Sequence, residues 1–419
     1  MTSPSPARRA ELLDQLRDAN FARLFSARFV SAFGTAMAPI AMAFGVLEQT
    51  GSPKLVGWVI ASQTAAQVAM QLFGGAIGDR FSRRRVMIVG DLIAAASQAS
   101  MALLLLSRDA PVPLLMVLMA ANGVAFALHF PAAVGIVPQV VERERLQPAN
   151  ALLSLAQSTA FGLGGATAGV IVAVASAGWA IALDSLTFIA SALLIHGLRL
   201  RPQVRAASTH LLAELLEGWR EFIAHRWLWA IVAQFSLVMA AWNGGLLVIG
   251  PVVAERSMGG AAAWGWVTGS LGLGLVTGGV IGMRVAVRHP MRVGTLCVLT
   301  FALPLALLVE PSPVYAVAMG AYVAGIGAEL FSVLWNTTLH MHVAPEALSR
   351  VSAYDVLGSI ALAPLGVAFA GPLVEGLGMH STLGIGIGLI VVPTLIVLCV
   401  PEVWSLRAVT IQSKSIDEP

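Results

Sequence analysis

Apolar residues run along this chain in long unbroken stretches, and the charged residues fall between them. Between Arg28 and Glu48 lie 19 uncharged residues, between Lys54 and Asp79 lie 24, and between Asp109 and Glu142 lie 32. Arg226 to Glu255 encloses 28, Arg256 to Arg284 encloses 27, and Glu375 to Glu402 encloses 26. About 20 apolar helical residues cross the hydrocarbon core of a bilayer, so each stretch is long enough to span it. Dividing at charges, Gly/Pro clusters and span length predicts helices near 25–47, 55–79, 86–107, 112–139, 150–176 and 180–198. A second set follows near 227–254, 262–284, 291–309, 313–342, 350–375 and 380–401. The pattern predicts an all-α polytopic membrane protein with twelve transmembrane helices. An even number of spans puts both termini on one side.

Composition agrees. Charged residues make up 11% of the chain and hydrophobic ones 57%, against about 25% charged in an ordinary soluble domain. A soluble fold could not bury that much apolar surface. The net charge of +3 hints at nucleic acid only until the positive residues are placed on the map. Of the 25 Lys and Arg, 22 fall on the side of the N-terminus and three, Lys54, Arg108 and Arg256, on the other. The positive-inside rule then expects both termini in the cytoplasm of a bacterial-type inner membrane. The first 20 residues are polar, with no short apolar core and cleavage site, so no removed signal peptide is expected. Cys297 and Cys399 lie in different apolar spans and read as packing residues.

The chain repeats itself. Residues 74–90 read GGAIGDRFSRRRVMIVG and residues 278–294 read GGVIGMRVAVRHPMRVG, with 9 of 17 positions identical at an offset of 204. Arg145 matches Arg350, Asn150 matches Asp355 and Ser154 matches Ser359 at an offset of 205. The twelve spans therefore form two pseudo-symmetric six-helix bundles, and substrate sites of such transporters lie near mid-depth where the repeats meet. The domains expected are a cytoplasmic segment 1–24, a first bundle 25–198, a linker 199–226, a second bundle 227–401 and a cytoplasmic tail 402–419. In the linker, Leu212, Leu215, Leu216, Trp219, Phe222 and Ile223 recur at helical spacing. They predict an amphipathic helix on the inner leaflet, with a soluble connector helix as the alternative.

The segment from Gly74 to Arg85, with its glycines, its acid and its basic cluster, resembles the loop between the second and third helices of the major facilitator superfamily. More narrowly, NFARLFSARFVSAFG, LDSLTFIASALLI and AELLEGWREF are similar to the branch of macrolide efflux proteins and enterobactin-type exporters, a branch of drug:proton antiporters. The resemblance implies export of a small molecule against protons by rocking of two six-helix bundles. It also places the eleventh helix opposite Asp79 and lines the cavity with helices one, four, seven and ten.

The residues themselves give that loop a task. Gly74, Gly75 and Gly78 strip one helix flank of bulk and allow close approach of a neighbour. Asp79, at the helix end, can accept from unpaired N–H groups at the start of a facing helix. Arg80, Arg83 and Arg84 can bridge to acids or lipid phosphates. A gating latch is the expectation, set against a plain positive-inside anchor. In the second copy Met283 replaces the acid, so a matching latch should be weaker.

A charge at the bilayer centre costs on the order of 3 kcal/mol even on the mild insertion scale. Glu329, near the middle of the tenth span, is therefore the leading candidate for proton coupling or for binding a cationic substrate, against a packing role. His129, before Pro131 in the fourth span, is a further candidate for proton coupling or substrate binding, against a neutral imidazole bonded to a carbonyl freed by the proline. Asp184 reads as a cap at the start of the sixth helix, and Asp91 as a partner of the arginine cluster. Trp242, Asn243, Trp335 and Asn336 can offer an aromatic and amide lining to a substrate, with core packing as the default for the tryptophans. Two departures from the resemblance weaken its antiport implication. Thr35 stands after Gly34 where relatives often carry an acid, and Gly165–Ala166 stands where antiporters show Gly-Pro.

The sequence therefore points to a secondary exporter of hydrophobic or amphipathic molecules, such as drugs or a siderophore. Alternatives are a nutrient importer or uniporter, or a non-transporting receptor or lipid-handling protein. No Walker-type loop is present, which argues against direct ATP drive, and neither an enzyme nor a cofactor or metal is expected. The partners expected are a small-molecule substrate, protons and membrane lipid, with the chain acting as a monomer and without nucleic acid.

Overall fold

The computed structural model describes residues 15–142, 145–200, 211–284, 287–310, 312–343 and 345–406, and their side chains apart from those of residues 72, 74–80, 211–217, 345–346 and 349–350. Among the described residues the chain is helical throughout, with no strand. The first six spans are Ala19–Thr50, Pro53–Arg80, Arg83–Ser107, Val112–Gly135, Leu146–Val174 and Ala177–His196. Spans seven to twelve are Arg226–Met258, Ala261–Gly282, Pro290–Val309, Val314–His342, an interrupted helix ending at Leu377, and Met379–Leu398. Eleven of them meet a length and hydropathy criterion for crossing a membrane over their described residues. Pro53–Arg80 is the twelfth.

The alternation of spans defines a terminal face, near residues 19, 80 and 199, and a far face, near residues 50, 108 and 258. Glu48, Arg108, Ser176 and Glu255 meet around one shallow cavity of about 860 Å³ on the far face. On the terminal face, Asp18 caps the first span by accepting from the backbone N–H of Asn20 and Phe21 at 2.9 and 2.8 Å. That cap carries the helix well back into the segment read as a polar lead. Asn20 Nδ2 donates to the Arg199 carbonyl at 2.8 Å and ties the start of span one to the end of span six.

Within the first bundle, span one packs on five and six, three on four and six, and two on four; within the second, span eight packs on ten and seven on eleven and twelve. The bundles join through spans five and eight and through two and eleven. The five–eight seam is built on missing side chains. A Cβ added to Gly272 would lie 2.1 Å from the Gly162 Cα, and one added to Gly169 would lie 2.6 Å from the Gly265 Cα. Only glycine lets two backbones approach so closely.

Two spans depart from a regular helix. Span eleven, read from sequence as continuous, divides into Pro345–Ile360 and Ala363–Leu377. Pro364 in the first turn of the second piece has no N–H for the Ile360 carbonyl, and its ring crowds that carbonyl. The break leaves the Leu362 N–H to Ser236 Oγ of span seven at 3.2 Å. Span seven widens into π turns at Gly244–Ile249 and Ala254–Met258, on either side of Pro251, where the α pattern loses a donor. The linker helix Leu211–Ala224 docks on span eleven. Its Trp219 and Phe222 rings lie 5.5 and 6.0 Å from that of Tyr354.

Candidate functional site

The broken span eleven faces an apolar cavity of about 360 Å³ in the second bundle, walled by spans seven, nine, ten and eleven. Phe235, Met239, Phe301, Phe331 and Trp335 line it, with Asp355 and Ser359 at its polar end. The rings form a row. Trp335 stacks on Phe331 with centroids 6.0 Å apart, Phe331 on Phe235 at 4.9 Å, and Phe235 meets Phe301 edge-on at 6.3 Å. Trp227 closes the row against Trp335 at 5.7 Å, and Trp242 closes it against Phe301 at 4.8 Å. Such offset and edge-on contacts order large side chains without polar partners.

Asp355 stands at the terminal-face end of this row, only 8% exposed. Its Oδ2 accepts from Trp335 Nε1 at 2.8 Å and its Oδ1 from Ser359 Oγ at 3.3 Å. Sequence reasoning met Asp355 only as the repeat partner of Asn150. The usable signal was an acid nine residues before the helix-breaking Pro364, inside a membrane span.

The residues singled out from sequence fall in different places. Trp335 lines the cavity, and Trp242 sits at the far end of its aromatic row. Asn243 and Asn336 turn back on their own helices, donating to the Met239 and Ser332 carbonyls at 2.8 Å each. Glu329 points at span eight, where its Cβ and Cγ approach the glycines Gly278 and Gly279, and it is not among the residues lining the aromatic cavity. His129 Nδ1 lies 2.8 Å from Asp91 Oδ1. That pair corrects two expectations, since the imidazole faces an acid and not a freed carbonyl, and the acid faces the imidazole and not the arginines.

Asp184 is also placed differently from its reading as a cap. The sixth helix begins at Ala177, two turns earlier, because Ser176 is fully extended and ends the preceding turn. Asp184 is therefore inside the helix and wholly buried. Gln98 Nε2 of span three donates to its Oδ2 at 2.6 Å, and Thr187 Oγ1 lies 3.3 Å from its Oδ1. Gly34 of span one provides the room, for a Cβ there would sit 2.3 Å from Asp184 Oδ1.

Of the latch loop, Gly74, Gly75, Gly78, Asp79 and Arg80 lie outside the described side chains. Arg83 donates to the Gly135 carbonyl, and Arg84 to the Leu198 carbonyl at 3.1 Å. Arg28 donates to the Ala133 carbonyl at 2.6 Å. These arginines satisfy orphan carbonyls at the terminal-face ends of spans four and six. On the far face a carboxylate does join the bundles. Glu375 of span eleven accepts from Ser52 Oγ at 2.8 Å and from the Lys54 backbone N–H at 3.3 Å.

Twelve spans in two bundles, joined through the glycine seam of spans five and eight and with an apolar cavity inside the second bundle, define the class as a polytopic membrane transporter. The chain belongs to the Major Facilitator Superfamily, whose family model matches residues 24–359. It is 22% identical over 373 residues to macrolide efflux protein A of Streptococcus pyogenes, covering 86% of this chain and 90% of that one. It is 26% identical over 379 residues to the multidrug efflux pump Tap of Mycolicibacterium fortuitum, with coverage of 86% and 90%. Similarity to the enterobactin exporter EntS of Shigella boydii is 23% over 396 residues, covering 92% and 93%. Among solved structures, a mutant of the nucleoside transporter NupG superposes with a TM-score of 0.73 at 14% identity, covering 90% of this chain and 98% of that one. A POT family transporter in complex with 5-aminolevulinic acid gives 0.70 at 13% identity, with coverage of 91% and 96%. These structural likenesses establish the fold.

Proposed function

We propose that this protein is a secondary exporter that moves hydrophobic or amphipathic small molecules out of the cell by alternating access, driven by a proton gradient. The observation that carries the reading is the aromatic cavity beside the broken eleventh span, since discontinuous helices near mid-depth are where carriers of this construction hold substrate. The efflux function of the relatives, which act on macrolides, multiple drugs and enterobactin by their names, supports the direction. The excess of Lys and Arg on the terminal face supports cytoplasmic termini in an inner membrane. The protein works as a monomer in contact with lipid. Glu329 carries the proton, with Asp91, Asp184 and Asp355 as the buried carboxylates inside spans among the described residues.

Purified protein in proteoliposomes, given a panel of fluorescent amphiphiles and an imposed pH gradient of either sign, tests the reading. Uphill movement that reverses with the gradient is expected. Glu329→Gln should abolish gradient-driven accumulation while counterflow exchange persists. Absence of any carrier-dependent flux across the panel would refute the proposal, and flux indifferent to the gradient would refute its proton coupling.

A further inference from the structure

Spans eleven and twelve flank a separate groove on the outer side of the second bundle, with a volume of about 230 Å³. Its floor is made of small residues, Ala240, Gly244 and Gly245 of span seven with Gly366 and Ala370 of span eleven. The backbones already meet there, since a Cβ added to Gly244 would lie 2.7 Å from the Gly366 carbonyl oxygen. No larger side chain can fill the floor from below. The walls are large, apolar and open outward, for Leu365, Phe369 and Ile385 line the groove and are 51%, 58% and 43% exposed. Both wall helices cross the membrane, so the opening faces hydrocarbon.

The groove has the depth of one leaflet. On span eleven it runs from Leu373, near the far face, to Leu362 at the helix break. That is about 16 Å of helix axis, and half of the hydrocarbon core is about 15 Å. Water finds no partner in it. Thr382, the one polar side chain among the described lining residues, donates to the Gly378 carbonyl at 2.8 Å, and a buried water needs about two to four polar contacts. At the far-face ends of spans twelve and nine, His380 Nε2 lies 3.4 Å from Glu310 Oε1, with both side chains exposed. We infer that this groove binds an acyl chain of a phospholipid whose headgroup carries a primary amine, with the headgroup at Glu310 and His380. A headgroup ammonium can donate a charge-assisted hydrogen bond to Glu310, and the His380 ring N–H can donate to the phosphate. A purely anionic headgroup brings like charge to Glu310. The chain gains dispersion contacts along the walls. This site goes beyond the carrier reading and holds for any cargo.

Delipidated full-length protein in detergent, titrated with phosphatidylethanolamine or phosphatidylglycerol of identical chains and weighed intact by native mass spectrometry, tests the inference. One phosphatidylethanolamine adduct should dominate, at least about fivefold more populated than its phosphatidylglycerol counterpart. Lysophosphatidylethanolamine, with one chain, should displace it, and glycerophosphoethanolamine, with none, should not. Gly386→Leu directs bulk into the groove toward Leu305 and should lower the adduct at least about fivefold. Gly388→Leu, the same change where an added Cβ meets nothing within 4 Å, is the control that retains it. Glu310→Gln should remove the preference between headgroups. Equal adducts in the two leucine variants, equal binding of the two lipids by the wild type, or displacement by glycerophosphoethanolamine would each overturn the inference. A lipid-free dimer would do so too, since it would give the groove to a second copy of the chain. The wild-type comparisons decide the matter even where Gly386→Leu fails to fold. No gradient or flux enters the measurement, so its failure is distinct from failure of the carrier reading.

Discussion

Glu375, at the last turn of span eleven, accepts a hydrogen bond from Ser52 Oγ at 2.8 Å and so ties the two bundles together on the far face. The same oxygen lies 3.3 Å from the Lys54 backbone nitrogen, so the carboxylate covers the unpaired start of span two, where a negative charge is favoured. The residue pattern at Asp79 has the same logic at the opposite end of the same helix pair, an acid ending span two where it can meet the start of span eleven. The molecule can therefore be described as two spans with an acid available at each end.

Removing the far-face acid should favour separation there. An exposed carboxylate at a helix start contributes about 0.3–1 kcal/mol, so Glu375→Ala should raise the population open on that face about two- to fivefold. Spin labels at Gln49, which lines the far-face cavity, and at Gly376, where an added Cβ meets nothing within 4 Å, would read the change as a longer distance. An unchanged distance distribution would show that the contact does not hold the bundles.

Asp79→Asn should slow transport several-fold with expression and insertion retained, while Met283→Asp should do less harm. The motivation is an acid present in only one copy of the repeat. Initial rates in vesicles normalised to protein would measure it. Wild-type rates in Asp79→Asn would dispose of the latch.

Bulk placed in the five–eight seam should be tolerated poorly. Gly272→Val puts atoms where the Gly162 backbone already is, and overpacking of this kind costs about 1–3 kcal/mol. The expected result is a lower melting temperature in detergent together with bundles forced apart. A variant with unchanged melting and flux would contradict the observed closeness of the two helices.

Gly34→Ala should disturb the first bundle in the same manner, since the new Cβ would lie 2.0 Å from Thr187 Oγ1 and 2.3 Å from Asp184 Oδ1. Displacing either group strains the bond from Gln98 and leaves a buried acid short of a donor, at about 1–3 kcal/mol. Thermal unfolding compared between Gly34→Ala and the nearby Thr35→Ala would measure it, with the larger loss in the glycine variant. Equal losses would mean that Gly34 does not make room for Asp184.

Reporter fusions settle the sidedness. Fusions at Arg205 and at the C-terminus should both report cytoplasm, and one at Lys54 the outside. An outside signal at Arg205 would be incompatible with twelve spans and the charge count.

Span number, membrane class and the twofold repeat are properties of the sequence alone, because the length of an apolar run and the charges that end it act locally. Pro364 was equally visible, yet span eleven reads as continuous when only its length is weighed, and the break becomes evident from the Leu362 N–H that Ser236 satisfies. Partnerships between helices needed the tertiary structure. In a soluble helix the apolar stripe marks the buried face, but a membrane span is apolar all round, so its pattern does not say which way it is turned. The rotation of each span alone decided that Glu329 faces the glycines of span eight, that Asp91 meets His129, that Asp184 is buried against Gln98, and that Asp355 stands at the end of an aromatic row. Those rotations follow from close packing among small residues such as Gly162 and Gly272, contacts that bring together positions 110 residues apart.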